Sequence, residues 1–505
     1  MLGDARSKGV KIAMVRVGRR GLRCARTVLA VTVGLVFGAS AFGADRVWII
    51  GGGPSLLDSQ AQIEQNLKWA RDVILRKLPK ADVRIYFNGG LDTSKDVVEW
   101  QHPPESSASL QPLARVFGAE FQNGQRYYRN TVPGIDGGTR VGNLVSRLHD
   151  EFAQIKENDR ALFIFEGHGN HDSSDASGNA LRLWGDTQLT ARDLGKLLAE
   201  INPRAQVRLF LPQCFAGGFA RTIYAMTTEP RASRGHNMCG FMAVATDKLS
   251  EGCSSSVDVG GYRDYTTYFF AALDGHTRLG KKLPSNPDLD GNGTVTLREA
   301  HLYSLVNGES TDVPRATSEV YLEDWEPWYR RWLTVAPTTD NIYRKLLVQL
   351  AAKNDLPAED GRLLREAKRM LKELTDAAAV LTKEQEELKK DTKALQARIS
   401  ADVLARWPEA RFPYTNNYRT FMLNDVNAAQ RFITQDSEYA KLVAMQERDM
   451  KLDAEILAKN RKAAQFEKIL RISRLAELLD KFERFASDED RAAYEKLVAC
   501  EDSAL

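Results

Sequence analysis

From Asp45 to about Val335 the chain alternates between short apolar runs and amphipathic stretches. "RVWII" (46–50) is nearly all apolar, "ADVRIYF" (81–87) follows, and "RALFIFEGHG" (160–169), "AQVRLFLPQC" (205–214) and "GFMAVAT" (240–246) complete five such runs. Runs this short and this apolar predict strands buried on both faces. Between the first two lies Ser59 to Lys77, where Ile63, Leu67, Ala70, Val73 and Ile74 recur at helical spacing on one face. Val141–Phe152 and Leu189–Ile201 predict further helices, with Thr190 placed to cap the second. Strands separated by helices predict a three-layer α/β/α domain with a mostly parallel sheet over residues 45–335.

After about Asn341 the pattern changes. Leu364, Ala367, Leu371, Leu374, Ala378, Leu381, Leu388, Leu395 and Ile399 keep a 3/4 spacing, broken by Gln385 and Thr392. That is a heptad seam between charged faces. Trp407-Pro408 ends it, "RFPYTNNYR" reads as a turn-rich linker, and a second helical stretch runs from about Asp436 to Lys481. "SDED" (487–490) would cap a last helix ending near Cys500. Residues 341–505 therefore form an all-α, coiled-coil-like region, with long helices over 346–406 and 436–500. Two arrangements fit: an antiparallel hairpin, or an exposed coiled coil through which copies self-associate.

The first 44 residues belong to neither pattern. Arg19, Arg20, Arg23 and Arg26 precede an apolar run from Val28 to Phe37 and then "GASAFGAD". Basic flank, short apolar run and small residues describe an export signal, cut after Ala41 or Gly43, and imply a periplasmic or secreted protein. Left uncut, the segment would act as a membrane anchor; the run is shorter than the roughly 20 residues that a span needs. The 505 residues carry 70 basic and 67 acidic side chains, a balance that gives no argument for nucleic acid or an acidic membrane surface as a partner. Cys24 lies in the export segment. Cys214, Cys239, Cys253 and Cys500 remain, too few for a disulfide scaffold and in no zinc-like spacing. Cys239 and Cys253 flank the fifth run, and pair only if the loop folds back.

In open α/β sheets reactive groups gather beyond the carboxyl ends of the strands. His168 stands at such an end after "ALFIFEG", and Cys214 after "VRLFLPQ". A thiolate attacks an amide carbonyl, an imidazole takes the thiol proton and returns it to the leaving amine, and main-chain N–H groups at Cys214 and Gly169 hold the oxyanion. Gly169, Gly217 and Gly218 leave room for a substrate backbone.

"FIFEGHGN" followed by "LFLPQCFAGGF" resembles the His-Gly and Cys blocks of caspase-fold cysteine peptidases, most closely the legumain-like branch and its bacterial members. The resemblance spans about Val47 to Asn307, including the "LRLWG" hairpin (181–185) and "FMAVATDKLSEGCSSS" (241–256). It implies a caspase-like domain, with His168 as general acid/base, Cys214 as nucleophile and the Gly169 N–H in the oxyanion hole. It also implies that Asp247, Ser250 and Glu251 line the first specificity pocket, whose acidic walls suit a Lys or Arg of the peptide substrate. Pro212 stands where legumain-type enzymes carry an acid, and their Arg-His pair is absent from "GGGPSLLDSQ". Asparagine specificity is not carried over.

"DLDGNGTVTLRE" (288–299) has the spacing of a calcium loop. Asp288, Asp290 and Asn292 sit at positions 1, 3 and 5, Gly293 at 6, Thr294 offers a carbonyl at 7, Thr296 sits at 9 and Glu299 at 12. Calcium is expected as a structural ion, with no organic cofactor. "GGGPS" lacks the lysine and spacing of a phosphate loop. "YLEDWEPWYRRW" (321–332) interleaves aromatic and charged residues and is expected to pack between the two regions. Two functions follow: an exported cysteine endopeptidase, or a catalytically silent caspase-fold protein of the cell envelope that assembles through its C-terminal helices.

Overall fold

The computed structural model describes residues 43–100, 110–117, 125–228, 235–338, 340–357, 360–412 and 415–505. The expected export segment lies outside these residues except for its last two positions, and so does Cys24.

Six strands form the central sheet: β1 (Asp45–Gly52), β2 (Asp82–Phe87), β5 (Arg160–Asn170), β8 (Gln206–Leu211), β9 (Asn237–Met242) and β10 (Arg315–Ala316). Their order is β10-β9-β8-β5-β1-β2, all parallel except the short edge strand β10. β3 (Val97–Trp100) and β4 (Gln125–Tyr128) make a separate hairpin. β6 (Ala180–Leu183) and β7 (Thr187–Thr190) make another, which extends β5 at its carboxyl end. Gly185 and Asp186 take positive φ at its turn, 81° and 55°, the geometry a tight hairpin needs.

Side-chain alternation sorts the sheet residues into two buried layers. Val47, Ile49, Leu162, Ile164 and Phe210 face α1 (Ala61–Lys77), α6 (Tyr265–Asp274) and α7 (Leu297–Asn307). Trp48, Ile50, Phe163, Phe165, Leu209 and Leu211 face α3 (Val141–Phe152), α4 (Ala191–Leu198) and α5 (Gly218–Thr228). Both faces are covered, which is why the strands read as continuous apolar runs. Thr190 caps α4 by accepting the Asp193 N–H. Two strands end elsewhere than their apolar runs suggest. β8 stops at Leu211 because Pro212 has no N–H for the ladder. β9 starts three residues earlier, since Asn237–Cys239 pair with Gln206–Arg208.

The C-terminal region is helical but not detached, and the described residues form one compact unit. α8 (Thr317–Trp325) leads to α9 (Ile342–Lys353), α10 (Asp360–Arg406), α11 (Asn416–Asn424), α12 (Val426–Gln435), α13 (Tyr439–Phe485) and α14 (Asp488–Glu501). The expected helix over 346–406 is therefore two helices, and that over 436–500 is also two. The second break falls where Ser487 caps α14 in a reciprocal capping box with Asp490. The expected linker holds much of α11. α10 and α13 run antiparallel, since Gln385 meets Asp453 and Lys389 meets Asp449. At the root of this hairpin Leu363, Ala367, Phe466, Ile469 and Ile472 pack with Leu302 and Leu305 of α7 and Leu322 of α8. At its tip Leu395, Ile399, Val403 and Ile433 pack on Leu113 and Val116 of α2 (Gln111–Phe117), which lies between β3 and β4 in sequence.

The chain end is built into the α/β domain. Arg208, fully buried in β8, donates to the Ala504 carbonyl at 2.9 Å, and Leu297 N–H donates to Ser503 O. Glu501 is buried against Thr317 and Ser318. Cys239 is disulfide-bonded to Cys500, and Cys214 and Cys253 are free. This corrects the pairing considered from the sequence: Cys239 is in the middle of a strand, and its partner comes from 261 residues away.

Candidate active site

The site begins with strand register. β5 and β8 pair in parallel up to Ile164 opposite Phe210. Continued four residues, the same offset sets His168 beside Cys214. The two main chains meet there: a Cβ at Gly169 would lie 1.9 Å from the Cys214 carbonyl oxygen.

Cys214 sits in a turn held on three sides. Phe215 takes φ 60°, a conformation that costs a non-glycine residue of order 1–3 kcal/mol. Its N–H donates to Lys248 O, and the buried Asn179 amide donates to both Phe215 O (2.9 Å) and Thr246 O (2.8 Å). Its ring stacks on His171. A Cβ at Gly217 would strike Thr246 N at 2.6 Å, and one at Gly218 would strike Asn179 and Ala176. The space expected for a substrate at these glycines, and at Gly169, is filled by the chain's own backbone and side chains. Their role is to fix the turn.

The Cys214 sulfur accepts the Ser250 N–H at 3.2 Å and lies 3.6 Å from the Ser250 hydroxyl. His168 Nε2 is 2.8 Å from both Asp58 O and Gln60 Oε1. Two acceptors at Nε2 place the proton there and leave the Nδ1 lone pair free. Burial lowers the His168 pKa below its usual value, against the opposing pull of the Asp58 carbonyl, so the ring rests neutral at neutral pH.

Glu251 is not free. Its carboxylate takes a two-point contact from Arg461 of α13, at 2.7 and 3.0 Å, and the Thr311 N–H. Beside it opens a cavity of about 390 Å³ lined by Ser250, Glu251, Cys253, Ser254 and Tyr262, with Leu457 and Arg461 on the helical side. Asp247 is exposed and lines neither this cavity nor the neighbouring one under Leu371.

Sequence reading missed a set of buried acids next to this cavity. Glu166, two residues before His168, accepts from the Thr266 hydroxyl. Asp264 accepts from Gln62 and Asn66, and Asp312 from the Glu251 and Tyr265 N–H groups. Burial, reinforced by the Asp264 charge, pushes Glu166 up to about 8, and burial pushes Asp312 up to about 8 as well. Burial also raises the Cys253 thiol. One signal was available: Glu166 is an acid that directly follows the apolar run Ala161–Phe165 of β5.

At the second expected site, Asp288, Asp290 and Glu299 bring carboxylate oxygens within 4.8 Å of one another. Gly291 and Gly293 take φ 75° and 86°. Asp288 accepts the Gly291, Asn292 and Gly293 N–H groups, and Asn292 Oδ1 accepts the Thr294 N–H. Thr296 and Glu299 are joined as a capping box at the start of α7. The all-oxygen donor set suits a hard divalent cation.

No family model matches this sequence, and no curated protein does. Among solved structures, the chain is similar to protein GSU0716 from Geobacter sulfurreducens, with 9% identity, a TM-score of 0.30, and 54% of this chain and 92% of that one covered. At that TM-score the likeness bears on neither fold nor function.

Proposed function

We propose that the protein is a caspase-fold cysteine endopeptidase using Cys214 and His168. The observation that carries this reading is that adjacent strand ends deliver both residues to one edge of the sheet, with the main chains of Gly169 and Cys214 in contact. In this mechanism His168 Nδ1 takes the Cys214 proton as sulfur adds to the peptide carbonyl. It then returns that proton to the leaving amine, and water hydrolyses the thioester. The Asp58 carbonyl and Gln60 hold the ring by Nε2 throughout. Gly169 and Cys214 N–H groups are the proposed oxyanion donors. Glu251, which already receives a guanidinium from Arg461, would select a Lys or Arg side chain ahead of the scissile bond. Asp288, Asp290, Asn292 and Glu299, with the Thr294 carbonyl and Thr296, would hold a calcium ion that braces the start of α7 and supplies no chemistry.

The test is labelling by an acyloxymethyl-ketone probe together with cleavage of a peptide library. Labelling is expected in the native protein and none in Cys214→Ala, with His168→Ala slowing turnover by about 10²–10⁴-fold. Native protein that neither labels nor cleaves would leave the silent envelope protein as the reading. Cleavage after uncharged residues would remove the role given to Glu251.

A further inference from the structure

The aromatic stretch that begins in α8 and runs past its end divides in two. Tyr321 and Trp325 pack against the hairpin root, where Trp325 meets Phe482 edge-on at 4.8 Å. Trp328, Tyr329 and Trp332 do not: they are 75%, 57% and 87% exposed, and Leu333 is 45% exposed beside them. Two tryptophans this open on one short segment are unusual, because burying such rings is normally worth more than almost any other contact. Among the described residues neither indole N–H nor the Tyr329 hydroxyl has a hydrogen-bond partner.

The charge of the segment has one sign. Arg330 and Arg331 lie within it, and no acid occurs between Glu326 and Asp340. The acids at its two ends are already paired: Glu326 is buried with Lys481 and Arg474, and Asp340 pairs with Lys345. Arg330 lies over the rings of Trp325, Tyr329 and Phe485. Arg331 is exposed and has no ion-pair partner among the described residues. Amphipathic rings with a free polar edge, next to uncompensated guanidinium groups, match the boundary between lipid headgroups and acyl chains. We propose that Trp328–Leu333 docks the protein on an anionic phospholipid bilayer. Trp328, Tyr329, Trp332 and Leu333 would enter the interface, and Arg330 and Arg331 would meet lipid phosphates. This contact is independent of the N-terminal segment and of Cys214.

Sedimentation of the full chain with vesicles tests it. Vesicles of roughly 70% phosphatidylcholine and 30% phosphatidylglycerol are expected to bind the protein at least about tenfold better than pure phosphatidylcholine, with the difference shrinking as salt rises. Trp328→Ala with Trp332→Ala should weaken binding about tenfold or more, and Arg331→Gln should reduce the preference for anionic vesicles. All variants share one N-terminus, so the differences report on this segment. Unchanged thermal melts establish that they fold. Equal binding by native protein and the double variant would overturn the proposal. So would self-association in solution that the same substitutions abolish, which would assign the surface to a second copy of this chain.

Discussion

The contact between Gly169 and Cys214 is the tightest constraint in the candidate site. Gly169→Ala places a methyl group against the Cys214 carbonyl, and overpacking of this kind costs about 1–3 kcal/mol. Chemical denaturation should show that loss, and probe labelling of Cys214 should fall further than stability does. Glu166 gives a second expectation, in pH. Its folded pKa of about 8 lies above the ordinary carboxyl value, so the folded state holds a proton that the unfolded chain releases. That contribution is complete below about pH 4.5 and is lost as pH rises toward 8, by at most about 1.4 kcal/mol per pH unit. Asp312 acts in the same direction. Glu319, held low by Arg471 and His301 despite its burial, acts oppositely and only at more acidic pH. Melting temperature should therefore fall between about pH 5 and 8, and Glu166→Gln should flatten the fall. An unchanged profile in that variant would place the titration elsewhere. At this scale His168 and Cys214 were legible because a polar residue ending an apolar strand stands out. Glu166 was not: one acid inside such a strand looks like an exception until its neighbours Asp264 and Thr266 are brought in from a hundred residues away.

The elements were legible wherever local chemistry sets their limits. Thr190 and Ser487 cap helices through their own side chains, and β1 and β5 follow their apolar runs. Errors fall where a partner decides: β9 is displaced toward its N-terminal side because β8 supplies the register. The loop 288–299 belongs to this scale too. Its carboxylates now accept main-chain N–H groups, and those oxygens are the ones offered to a cation. If calcium binds, melting temperature should rise with calcium, by the equivalent of about 2.7 kcal/mol at a hundredfold excess over Kd. Magnesium should do less, because it resists dehydration into such a loop. Asp288→Asn with Glu299→Gln should remove the response. Calorimetry that finds no calcium effect on the native protein would leave a capped turn and nothing more.

At the scale of the whole molecule, the sequence shows two regions of different character, and the structure makes them one unit. Arg461 on Glu251, Arg471 on Glu319 and Lys481 on Glu326 tie α13 to the α/β domain at three points along its length. Each pair joins residues about 150 to 210 positions apart, which no local pattern reveals. The Cys239–Cys500 bond was hidden for the same reason. It closes a loop so long that the chain-entropy relation gives about 5.6 kcal/mol for removing it. Cys239→Ser is therefore expected to lower the unfolding midpoint in denaturant markedly, and Cys500→Ser to match it. If the two variants differ widely, free-thiol chemistry is responsible and not the lost link.

The same bond decides how any nicked form would behave. A single cut anywhere from residue 240 to 499, whether in the hairpin or near the 288–299 loop, yields two fragments that still migrate together. Only a reducing gel would show the break. Activation by clipping, if this protein undergoes it, would go unseen in a non-reducing purification.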